Sequence, residues 1–179
     1  MVTGGFGESE VSFASDATDH RAAFALWRQE KEASNESLKL NARRLRDQQK
    51  VPLILVVDDE PVVAVTLSEI LLRTGKMAVW FTEPLQALEF FRGGPVDLLL
   101  SDITMPVMDG VGLAAQAHKV LPTCGILLFS AIAGESEVLK RVDTLGFRVQ
   151  LEFKPLRVPC LLSTIERLLA CSERTGSEP

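Results

Sequence analysis

The chain has 179 residues, 46% of them apolar and 24% charged, with a formal net charge of −5 and a pI near 5.1. That is the size and composition of one ordinary globular domain carrying an extension, and the acidic balance argues against a protein that coats nucleic acid. No apolar run approaches the roughly 20 residues that cross a bilayer, and the opening MVTGGFGESEVSF lacks the basic and apolar regions of a secretory signal. Cys124, Cys160 and Cys171 lie too far apart for a CxxC pair or a Cys/His cluster. A cytoplasmic protein with reduced thiols is expected.

Residues 1–19 are small and polar and are expected to be disordered. Residues 20–50 contain no Gly or Pro and many helix formers, with Asp19 placed to cap a helix. Phe24, Trp27, Lys31, Ser34, Leu38, Asn41 and Leu45 recur at helical spacing, but the stripe is apolar only at its ends. It therefore specifies a coiled coil weakly. It could pack back on the rest of the chain, pair with a second copy in a homodimer, or dock on another protein. The basic NARRLRDQQK is short and reads as a solvated face rather than a nucleic-acid arm.

From Val51 the pattern alternates. LILVV (53–57), MAVWF (77–81), VDLLLS (96–101), GILLFS (125–130) and FRVQLEF (147–153) read as strands, each followed by a helical segment. Pro61 suits the first turn of the first of these helices and Gly75 its exit. Five βα units imply an α/β fold, a doubly wound parallel sheet with helices on both faces over residues 51–171, followed by a disordered tail, 172–179. A barrel would need eight such units.

Sites in an open parallel sheet form at the carboxyl ends of the strands. Asp58, Asp59 and Glu60 follow the first strand, Asp102 the third, Ser130 ends the fourth, and Lys154-Pro155 follows the fifth. If strands one, three, four and five are neighbours, three aspartates, a hydroxyl and an ammonium meet at one edge. Crowded carboxylates raise one another's pKa, and a hard cation such as Mg2+ relieves that conflict through oxygen ligands. A carboxylate can be the nucleophile in phosphoryl transfer, with lysine and hydroxyl offsetting charge on the transferred group. Asp59 or Glu60 alone would serve equally well as a helix cap.

VDDEP, SDITMPVMDG, FSA and FKPL together resemble the receiver domain of two-component response regulators, and the likeness covers residues 51–171. The resemblance implies a flavodoxin-like sheet of order 2-1-3-4-5. It implies that Asp102 is the phosphoacceptor, that Asp58 and Asp59 hold Mg2+ with the Thr104 backbone carbonyl as a further ligand, and that Ser130 and Lys154 contact the phosphoryl group. It also implies a cis bond before Pro155, a pocket loop built from Met105-Pro106 and Asp109-Gly110, and a phosphohistidine donor on a histidine kinase or histidine phosphotransfer protein.

Leu151 departs from the pattern, because such domains usually carry Tyr or Phe three residues before the lysine; Phe147 and Phe153 have the wrong phase to replace it. After the last helix only ERTGSEP remains, so output through contacts with a downstream protein target is expected, with no enzymatic effector, no membrane and no direct nucleic acid. Two other readings stay open. A phosphorylation-independent pseudo-receiver is opposed by the full acidic set and kept alive by Leu151. A phosphatase of the haloacid-dehalogenase type needs a second Asp two residues after its nucleophile, where this chain has Thr104 after Asp102 and Glu60 after Asp58. His20 and His118 lie in nothing resembling a kinase histidine box and read as ordinary helix or surface residues.

Overall fold

The computed structural model describes residues 16–131 and 136–175. A long helix α1 (Asp16–Gln49) precedes β1 (Leu53–Val57), α2 (Pro61–Arg73), β2 (Met77–Phe81), α3 (Pro84–Arg92), β3 (Leu98–Asp102), α4 (Gly110–Val120), β4 (Gly125–Ser130), α5 (Ser136–Asp143), β5 (Gln150–Phe153) and α6 (Val158–Thr175). The strands form one sheet in the order β2-β1-β3-β4-β5, every neighbouring pair parallel. This is the flavodoxin-like order that the sequence motifs imply. β1, β2 and β3 are buried along their whole length, as strands covered on both faces must be, and their runs of Leu, Ile and Val follow from it.

Local chemistry sets the helix ends. Pro61 and Pro84 open α2 and α3, where a missing N–H costs nothing, and Gly75 leaves α2 at φ +78°, a backbone conformation that suits glycine. Glu60 is the N-cap of α2, but its side chain makes no capping bond. The amide of Glu60 instead donates to Asp58 Oδ1 at 2.9 Å. Asp58 thereby shapes the turn that leads into α2.

The chain divides into two units, Met1–Ser34 and Asn35–Pro179, with the division inside α1. In the first unit Arg28 pairs with Glu32 at 2.7 Å one turn apart. In the second, the last four turns of α1 are built into the domain. Ala42 is fully buried, and Leu38 and Leu45 pack against the main core cluster. Asn35 donates to the Trp80 carbonyl at 2.7 Å and accepts from the Trp80 amide at 3.0 Å. Asn41, expected in the inward stripe, is instead exposed and donates to the Ser37 carbonyl at 2.9 Å. Polar bonds from Asn35 to an edge strand join the apolar contacts of Leu38, Ala42 and Leu45 in this seam, so apolar spacing finds only part of its face.

At the amino end of the sheet, Arg46 forks onto Asp97 at 2.8 and 2.6 Å. Asp97 Oδ2 also accepts the Leu53 amide at 2.7 Å, and its carbonyl accepts the Gly125 amide at 2.9 Å. One residue thereby ties the starts of β1, β3 and β4 to α1. Helix α1 begins at Asp16 and α6 reaches Thr175, each a few residues beyond the extent read from sequence. The remaining residues expected to be disordered, 1–15 and 176–179, lie outside the described residues. β5 covers only Gln150–Phe153 of the seven-residue run assigned to it.

Candidate functional site

The sheet order brings the ends of β1, β3, β4 and β5 side by side, and with them Asp58, Asp102, Ser130 and Lys154. Asp58 and Asp102 are almost completely buried, at 1% and 4% exposure, and Ser130 is buried with them. Lys154 Nζ lies 2.9 Å from Asp102 Oδ1 and 3.5 Å from Asp58 Oδ2, and 5.0 Å from the centre of the buried Phe129 ring. The other Asp102 oxygen, Oδ2, accepts the Thr104 amide at 2.8 Å. The amide of Asp58 donates to the Phe81 carbonyl at 3.2 Å, and that of Lys154 to the Ser130 carbonyl at 2.8 Å. The peptide bond between Lys154 and Pro155 is cis. Asp59, next in the chain after Asp58, is exposed. Among the described residues no three His, Cys, Asp or Glu side chains gather as a ready-made metal cluster.

Two carboxylates share one ammonium here, and negative charge is under-compensated. Burial pushes Asp58 up to about 6; the Glu60 amide and Lys154 pull it down, and the nearby Asp102 charge pushes it further up. Burial also works against the Lys154 ammonium, but the Asp102 bond and the two carboxylate charges outweigh it and raise its pKa. Hard oxygen donors with unmet negative charge are what a small divalent cation requires. The residues therefore fit Mg2+, which Asp58 and Asp102 would hold, with Asp59 and the Thr104 carbonyl within the same loops.

The loop after β3 holds Asp109 and Gly110 by particular contacts. A Cβ on Gly110 would lie 2.1 Å from the Asp102 carbonyl oxygen, and the Gly110 amide donates to the Ile103 carbonyl at 2.9 Å. The glycine of the MDG run is thus the space that lets α4 start against the Asp102 backbone. Val107 is 89% exposed with φ +68°, a left-handed conformation that β-branched residues rarely take. Asp109 caps α4 by accepting the Gly112 amide at 2.8 Å and pairs with Arg141 of α5 at 2.6 Å. Nothing in the spacing of the sequence signals the Arg141 contact. Leu151 is half-buried against the core. Neither nearby aromatic takes its place: Phe153 is 39% exposed, and Phe147 stacks on His118 at 3.8 Å between centroids.

Known proteins similar to this chain are numerous. The chemotaxis protein CheY of Bacillus subtilis is 29% identical over 117 residues, covering 65% of this chain and 96% of CheY. The response regulator receiver protein CpdR of Brucella abortus is 31% identical over 117 residues, covering 65% and 95%. The autoinducer 1 sensor kinase/phosphatase LuxN of Vibrio harveyi is 29% identical over 115 residues, but the match spans only 13% of LuxN. Among solved structures, a CheY-like receiver domain protein from Methanospirillum hungatei JF-1 superposes with a TM-score of 0.65 at 25% identity, covering 70% of this chain and 98% of that one. The response regulator receiver domain profile matches residues 54–166, the stretch that carries every residue of the buried acidic site, and the chain belongs to the response regulator receiver family.

Proposed function

We propose that this chain is a phosphoacceptor of a two-component relay, taking a phosphoryl group on Asp102 from the phosphohistidine of a histidine kinase or a histidine phosphotransfer protein in the cytoplasm. The observation that carries the reading is the Lys154 ammonium set between the buried carboxylates of Asp58 and Asp102, at 3.5 and 2.9 Å. An oxygen of Asp102 attacks phosphorus, a P–O bond forms, and the P–N bond to the donor imidazole breaks with its electron pair left on the ring. The Thr104 amide, 2.8 Å from Oδ2, holds the carboxylate in one orientation, and burial excludes competing water. Lys154 is placed to follow the negative charge onto the phosphoryl oxygens, and the Ser130 hydroxyl to donate to one of them. Mg2+, when bound, offsets the remaining charge on the acidic pair and the phosphoryl group.

The chain itself acts as a switch rather than as a turnover enzyme. Its output is a contact with a downstream protein made after Asp102 is modified. Thr104, standing where a dehalogenase-type phosphatase needs its second aspartate, disfavours that alternative. Asp102→Asn keeps the shape of the side chain and removes the nucleophile. In the presence of Mg2+ and acetyl phosphate, the wild type should gain 80 Da by intact mass spectrometry, and Asp102→Asn should gain nothing. Equal incorporation in both proteins would remove Asp102 as the acceptor, and none in the wild type with any donor would favour the pseudo-receiver.

A further inference from the structure

β2 is an edge strand, and an edge normally presents unpaired N–H and C=O groups. Here both outward groups of Trp80 are taken by a single side chain, the amide of Asn35, at 2.7 and 3.0 Å. Asn35 is 2% exposed, so the bonds are shielded from water and replace a missing neighbour strand. One turn further along α1, the Lys39 ammonium sits 4.1 Å above the centre of the Phe81 ring. Phe81 is the next residue of β2, and its carbonyl accepts the amide of Asp58 at 3.2 Å. Three consecutive links therefore run from α1 to the acidic pair: Asn35 fixes the Trp80 peptide, Trp80 precedes Phe81, and Phe81 holds the backbone of Asp58. The other end of this part of α1 is anchored separately, by Arg46 on Asp97 at the opposite end of the sheet.

We propose that the segment Asn35–Gln49 is a positioning element for the acidic site, in which Asn35 closes the β2 edge and so sets where the Phe81 carbonyl holds Asp58. This rests on the phosphoacceptor reading for its functional meaning, because the affected residue is the one assigned to Mg2+. An intramolecular helix that carries such a link gives the chain a second input: whatever loosens the Asn35 end of α1 also loosens the metal-binding carboxylate. The function lies in the polar contact at Trp80, and the Arg46 anchor serves stability alone.

The test uses the full chain. In Asn35→Ala, the Asp58 amide of metal-free protein should exchange with solvent about tenfold faster, the effect of losing one net hydrogen bond, while the Gly125 amide at the far end of the sheet keeps its rate. Calorimetry should show Mg2+ affinity lower by about fivefold, the small end of couplings between linked sites. Arg46→Gln should lower Tm and leave both the Asp58 exchange rate and Mg2+ affinity as in wild type. If Asn35→Ala does not fold, Asn35→Ser keeps a polar side chain too short to reach both Trp80 groups, and should shift the same two readouts in the same direction. Unchanged Asp58 exchange in the folded variant, or equal loss of Mg2+ affinity in Asn35→Ala and Arg46→Gln, would overturn the positioning role. A wild type that binds no Mg2+ would overturn the phosphoacceptor reading instead, and the exchange rates would still decide the role of Asn35.

Discussion

Replacing Gly110 with alanine would place a Cβ 2.1 Å from the carbonyl oxygen of Asp102 and 3.0 Å from both the Asp102 carbonyl carbon and the Ile103 Cα. All three are backbone atoms, so no side chain can swing aside. Restoring ordinary van der Waals contact requires α4 and the end of β3 to part by about 1.3 Å. The overpacking should cost about 1–3 kcal/mol, seen as a fall of several degrees in Tm for a domain of this size. The effect on chemistry should be larger, since a displacement of about 1 Å at a reacting group can cost on the order of 100-fold in rate. The assay is the initial rate of phosphorylation from acetyl phosphate at fixed Mg2+, run beside thermal melts followed by circular dichroism. Gly112→Ala provides the contrast within the same helix. There the added Cβ would meet only the Asp109 Oδ1 and Met108 Cγ side-chain atoms, at 3.2 and 3.4 Å, and helix propensity favours alanine by up to about 1 kcal/mol. Gly112→Ala should keep both rate and Tm. A Gly110→Ala protein that labels at the wild-type rate and melts with it would refute the claim that this glycine positions Asp102.

Two further expectations follow from the acidic site and from α1. In metal-free protein Asp58 titrates at about 6 against an ordinary 3.8, so the folded state binds its proton more tightly than the unfolded one. The resulting stabilisation, on the order of 2–3 kcal/mol, is complete below about 3.8 and is lost as pH rises through about 6. Asp58→Asn should remove that part of the slope and raise neutral-pH stability in urea titrations; parallel stability curves for the two proteins would show that burial does not act on this group. Removing residues 1–34 keeps Asn35, Ala42 and Arg46 and should leave Tm unchanged. Removing residues 1–50 takes all three away, and should lower Tm and promote self-association through the uncovered β2 edge in light scattering. Equal melting of the two truncated chains would show that the α1 contacts add nothing.

Much of this was legible in the residues themselves. Strands buried on both faces, such as LILVV, carry no polar position to confuse their assignment, and prolines and glycines marked the helix ends. The carboxylates became a site only when placed at strand ends, which the βα alternation allowed. What escaped was of another kind. The polar part of the α1 seam is made by Asn35, Lys39 and Arg46, residues that read as solvated on any hydropathy pattern, because their partners are backbone groups, an aromatic face and an aspartate some 40 or more positions away. The Arg141–Asp109 contact was hidden for the same reason, as a pair of charges has no period. Asp59 looked equivalent to Asp58 in sequence, yet one is exposed and the other buried, a difference set by where the strand stops.

Asp97 and Asp58 stand at opposite ends of the same sheet and have been given opposite surroundings. Asp97 receives two guanidinium N–H groups and a backbone amide, so its charge is fully answered and it acts as a rivet. Asp58 shares a single ammonium, at 3.5 Å, with a second carboxylate that holds the same ammonium at 2.9 Å. The two ends thus divide labour, one saturated and mechanically committed, the other left electrically unfinished. Under the proposed phosphoacceptor role, a cation or phosphoryl group would complete the second end and find no unmet charge at the first. The base of the sheet would then stay fastened while the domain changed its chemical state.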